Sequence, residues 1–211
     1  SGEFDSGGVG PHEIKRLHGS DTLVIANGGI DTHPDSGRTK LNIATMQPNL
    51  AYIKNGDVVE TATLPSEMHK NSIRHLAVSL AGNVAFGMQW QGEGSVAALV
   101  GQHKRGNAIV LAKAPDEQVR NMVGYIGSIA YSQDSKTIAA TSPRGGALHL
   151  YDAEQMVLSD ELKLDDVCGV APHARGFALT SGTGKIGGLI GNRRSFNSIA
   201  MHRWDNHLIA I

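Results

Sequence analysis

Apolar residues recur along the chain in short runs separated by polar turns. This is the pattern of strands buried on one or both faces, and no sustained helical stripe accompanies it. The runs come in pairs. Gly10-Pro11-His12-Glu13-Ile14 leads through a turn at Leu17 to Asp21 into Thr22-Leu23-Val24-Ile25-Ala26-Asn27. Ile73 to Val78 leads through Leu80-Ala81-Gly82-Asn83 into Val84-Ala85-Phe86-Gly87. Ile126 to Ala130 leads through Ser132 to Lys136 into Thr137-Ile138-Ala139-Ala140-Thr141, and Val167-Cys168-Gly169-Val170 through His173-Ala174-Arg175-Gly176 into Phe177-Ala178-Leu179-Thr180. His12, His75, Ser128 and Gly169 occupy equivalent positions, at intervals of 63, 53 and 41 residues. Those intervals approach the period of a four-stranded propeller blade, about 40 to 50 residues, with insertions in the first two units.

The pattern predicts an all-β chain: a β-propeller of about four blades, at about 9–64, 72–113, 125–164 and 166–211, in a single domain. Asn107 to Leu111, Ala147 to Asp152 and Ile199 to Trp204 read as third strands leading to blade edges. Pro115-Asp116-Glu117 opens a short helix to about Val123, and Pro65-Ser66-Glu67 opens a turn or two before Ile73. Pro48 interrupts Thr39 to Tyr52, which reads as a long loop of the first blade. Gly2-Glu3-Phe4-Asp5 reads as a strand end, with Ser6-Gly7-Gly8 turning into the next blade, so the expectation is that sequence precedes residue 1.

Composition agrees with many tight turns: 26 glycines in 211 residues exceed ordinary usage of roughly 7%, with seven prolines beside them. A net charge of −1 gives no electrostatic footprint for nucleic acid. No apolar run reaches the roughly 18 residues of a membrane span, and the single cysteine, Cys168, excludes an internal disulfide.

The candidate chemistry lies on the first strands, which line the central channel of a propeller. His12, Glu13, Arg74 and His75 are candidate ligand-binding residues there, and Arg144, beside two glycines, is a candidate at the mouth. Histidines of different blades can converge on a transition metal, so His12, His33, His75 and Cys168 are the candidate metal ligands. The plainer reading is that each imidazole, and Arg74 with it, bonds backbone groups and ties blades together. Gly182-Thr183-Gly184-Lys185-Ile186-Gly187 fits a dinucleotide fingerprint, but Gly188 and Gly191 follow where a helix is required. His12-Glu13 has Arg16 in place of a second zinc-protease histidine, and no serine stands in a nucleophile elbow. No catalytic residues are assigned.

Gly2 through Ile14, Val24-Ile25-Ala26-Asn27-Gly28-Gly29-Ile30-Asp31-Thr32-His33-Pro34 and Ser72-Ile73-Arg74-His75-Leu76-Ala77 resemble a bacterial family of unknown function, DUF1513. Thr141-Ser142-Pro143-Arg144-Gly145-Gly146, Asp166-Val167-Cys168-Gly169-Val170 and Trp204-Asp205-Asn206-His207-Leu208 extend the resemblance to the end of the chain. It implies a seven-bladed, WD40-like propeller exported to the periplasm by a twin-arginine signal, often encoded beside imelysin-like and dihaem oxidase-like proteins. The chain departs from the family pattern in lacking that signal and about three blades, and so looks like a C-terminal portion, whose open blade array would self-associate. Two functions follow as expectations. One is a non-catalytic periplasmic binding or scaffold protein serving iron uptake or redox partners. The other is a metal-dependent oxidoreductase or electron-transfer propeller with histidine ligands near the channel.

Overall fold

Each predicted hairpin is present, and each is the inner half of a four-stranded antiparallel sheet. The computed structural model describes residues 3–32, 35, 39–191, 193–199 and 201–209. The first sheet runs β1 (Pro11–Arg16), β2 (Leu23–Asn27), β3 (Asn49–Lys54) and β4 (Asp57–Thr63). The second runs β5 (Asn71–Val78), β6 (Val84–Trp90), β7 (Val100–His103) and β8 (Val110–Leu111). The third runs β9 (Ser128–Tyr131), β10 (Thr137–Ser142), β11 (Ala147–Asp152) and β12 (Val157–Lys163). The fourth runs β13 (Val167–His173), β14 (Gly176–Ser181), β15 (Lys185–Ile190) and β16 (Arg193–Ser198). In every sheet, neighbours in sequence are neighbours in space, the connectivity of a propeller blade.

The first strands stand side by side: β1 packs on β5, β5 on β9 and β9 on β13. Cores fill the gaps between successive blades. Blades one and two share Val24, Leu50 and Tyr52 with Ile73, Phe86 and Met88. Blades two and three share Ala85 and Val100 with Ile138, Ala140 and Tyr151, joined by Met122 at the end of α1 (Asp116–Asn121). Blades three and four share Leu148 and Leu162 with Val170, Phe177 and Leu179. Burial of these faces from water is the main term holding blade to blade. No comparable strand contact joins blade four back to blade one among the described residues.

Several predicted elements fall elsewhere. Asn107 to Leu111 contributes a fourth strand of two residues, because Val100–His103 already holds the third position. The loop expected through Tyr52 ends at Asn49, where β3 begins, and Asn55-Gly56 turns β3 into β4 with φ of +55° and +91°. Both central residues of that hairpin loop must have positive φ, which Asn-Gly supplies at low cost. Ile199 to Trp204 is not a strand in its described residues; β16 ends at Ser198. Glu3 to Asp5 is not a strand end either. Ser6 and Gly7 accept hydrogen bonds from Asn27 and Asn49, which lay this segment against blade one.

Candidate functional site

Two of the inner strands carry an extra residue at the same level. The pairing of β1 with β2 slips at His12, and that of β5 with β6 slips at Arg74. A β-bulge breaks strict alternation and re-aims a side chain, so neighbouring residues can serve one space. In β13 the register slips between Val167 and Val170, at Cys168 and Gly169.

Across the first pair of blades these bulges interlock. His12 Nδ1 donates to the Arg74 carbonyl at 2.9 Å, which fixes that nitrogen as the protonated one. Glu13 Oε2 accepts the Leu76 backbone N–H at 3.1 Å, while Oε1 meets Lys15 Nζ at 2.9 Å. Burial alone would raise the Glu13 pKa, but the His75 ring, Lys15 and the Leu76 N–H outweigh it and hold the carboxyl at about 2. Covering of its ring, helped by His75 and Arg74, pulls His12 down to about 4.

His75 is 3% exposed, with its ring edge-on to His12 and to His207, ring centroids 5.0 Å apart in both cases. Its Nδ1 faces Glu13 Oε2 at 3.5 Å, beyond a good hydrogen bond, and neither ring nitrogen has a hydrogen-bond partner. Burial lowers its pKa, with Glu13 acting in the opposite direction. Arg74 Nε is likewise buried without a partner.

His12, Arg74 and His75 line a cavity of about 240 Å³ with Gln89, Tyr125 and the segment Asp205-Asn206-His207. Asn206 Nδ2 donates to the Tyr125 hydroxyl at 3.4 Å, and the Arg144 guanidinium stacks 4.3 Å from the Tyr125 ring centre. The C-terminal residues therefore run along the inner strands. Ile199 N–H bonds the Gly184 carbonyl, the Cys168 thiol donates to the Trp204 carbonyl at 3.2 Å, and Leu208 lies on Gly169. A methyl at Gly127 would meet Asn206 Oδ1 at 2.7 Å, and one at Gly169 would meet Leu208 Cβ at 3.0 Å. Past this segment, at the other end of the inner strands, a cavity of about 510 Å³ opens beside Leu208 and Ile209.

The structure thus brings His12, Glu13, Arg74 and His75 together and sets Arg144 one ring away. Cys168 is turned to the carbonyls of Asp166 and Trp204 and stands outside the group of ligand atoms formed by Glu13, His75 and His207. His33 lies outside the described residues. Tyr125, Asn206 and His207 were not anticipated from the residues alone. The only sequence signal for the last two was their place in Trp204-Asp205-Asn206-His207-Leu208.

Inner strands side by side, four-stranded meanders and an axial polar site define an all-β protein of WD40-like propeller type. The chain belongs to the family described as "Protein of unknown function (DUF1513)", which matches residues 1–211. Among solved structures it is similar to a chain of the "Crystal Structure of Mitotic Checkpoint Complex", with a TM-score of 0.56 and 12% identity over 82% of this chain. This chain spans 45% of the length of that one, and at such identity the likeness speaks for the fold alone. No curated protein matches it. Among the described residues, no helix is long and apolar enough to cross a membrane.

Proposed function

We propose that the protein works by binding a protein partner, whose carboxylate side chain enters the axial cavity and pairs with Arg74. The observation that carries this is the guanidinium itself, whose Nε is buried with no partner beside a cavity of about 240 Å³. A buried donor without an acceptor costs free energy that a planar carboxylate recovers through charge-assisted hydrogen bonds. His12, Gln89 and Tyr125 add polar groups around the same space, the usual composition of a site that fixes orientation.

Likeness to the family makes imelysin-like and dihaem oxidase-like proteins of the periplasm the first partners to try, in an iron-uptake or redox setting. In a capture experiment from periplasmic extract, the protein is expected to enrich such a partner over an unrelated propeller. Arg74→Ala is expected to weaken capture at least about tenfold, the scale of losing a hydrogen bond to a charged group. No enrichment, or equal enrichment by the variant, would overturn the proposal.

A further inference from the structure

Three side chains in the channel suit a different kind of ligand, and they stand independently of any protein partner. Glu13, His75 and His207 each offer one ligand atom, and these atoms all lie within 4.8 Å of one another. The other buried imidazoles show what a structural histidine looks like in this molecule. His103 bonds the Tyr52 hydroxyl at 2.7 Å and the Asn107 carbonyl at 2.9 Å. His149 bonds the Tyr151 hydroxyl at 3.1 Å and Glu161 at 3.3 Å. His75 is as deeply buried, yet both of its nitrogens lack a hydrogen-bond partner. A buried imidazole left in that condition calls for a ligand.

We propose that Glu13, His75 and His207 bind a divalent first-row transition-metal ion, with the C-terminal segment delivering the third ligand. Two imidazoles and one carboxylate suit such ions and disfavour magnesium or calcium, which take oxygen ligands. Glu13 is already oriented for the task, since Leu76 N–H and Lys15 hold its two oxygens. Ligand atoms sharing one metal at about 2.0–2.2 Å lie roughly 3.0–3.5 Å apart, so loading must draw the group together. The ligand free to move is His207, which is exposed on the segment crossing the inner strands. His75 and His207 also line the cavity that holds Arg74 and Tyr125.

The test is titration of the chelator-treated full chain with Zn²⁺ and Co²⁺, reading stoichiometry by elemental analysis and ligand type by the visible bands of Co²⁺. The expected result is about one ion per chain, with affinity lowered at least about tenfold by His207→Ala and by Glu13→Gln. His207→Ala alters an exposed side chain, so the test survives if the buried substitution His75→Ala prevents folding. His18→Ala is expected to bind the ion as the parent does, because His18 is exposed and lies outside the ligand group. Less than about 0.1 ion per chain, unchanged binding by His207→Ala, or equal loss in His18→Ala would overturn the assignment. Partner capture responds to Arg74→Ala, so the two proposals fail separately.

Discussion

His12 and Glu13 tie the site to pH in a direction that can be worked out. His12 titrates at about 4 in the folded chain and near 6.5 in the unfolded one, so between those values the unfolded chain binds more protons. Stability therefore falls as pH drops from 6.5 to 4, and His75, also lowered, adds to the same limb. Glu13 extends the loss: its folded value of about 2 lies below the ordinary value of 4.5, so its contribution is present above 4.5 and disappears as pH falls toward 2. Urea midpoints measured from pH 7 to pH 3 are expected to decline throughout, and Glu13→Gln to flatten the part below 4.5. A midpoint constant from 6.5 to 4 would contradict the placement of the two histidines. Gly169 makes a separate prediction, because a methyl there meets Thr180 Oγ1 at 2.6 Å as well as Leu208. Gly169→Ala should cost about 1–3 kcal/mol and speed proteolysis of the C-terminal segment, since the small residue is what lets that segment lie on the strand.

At the level of strands, the first two of every blade were legible because small and apolar residues fill them between clear turns. The third and fourth were less so. Asn55-Gly56 marks the β3 to β4 turn in the sequence, yet Pro48 just upstream made the preceding stretch read as loop. Asn107 to Leu111 has strand-like residues, but β7 beside it pairs only through Gly101 and Gln102, which leaves two residues of β8. Ile199 to Trp204 has strand-like residues at Ile199, Met201 and Trp204, but its described residues join no ladder, and Trp204 lies against Cys168 of an inner strand instead. The bulges at His12 and Arg74 left no mark in the sequence, since a bulge is a matter of pairing count rather than composition. Without them the dipeptides His12-Glu13 and Arg74-His75 were expected on the channel, but not how neighbouring side chains could share one space. His207 was out of reach for a related reason: it meets His75 through a segment with no repeating partner.

Across the whole molecule, stability rests on the faces between blades. Phe86 shows this: it is wholly buried between blades one and two, with Gly101 under its ring. Phe86→Ala is expected to cost about 3–5 kcal/mol in denaturant unfolding, and a loss well under that would mean the blades are not packed as described. The axial site inherits its order from these faces, since Glu13 reaches Leu76 and His12 reaches the Arg74 carbonyl only while blades one and two are joined. The C-terminal segment completes it from blade four, by way of Cys168 and Gly169. The most direct measurement is alkylation of Cys168, the one thiol of the full chain, under native conditions. Cys168 is 2% exposed and its thiol donates to the Trp204 carbonyl, so the C-terminal segment covers it. The thiol is predicted to react far more slowly in the native protein than in urea, and Gly169→Ala, which crowds the segment, is predicted to speed the native reaction. A native rate close to the unfolded one would show that the segment does not lie on the inner strands, and the assembled site would go with it.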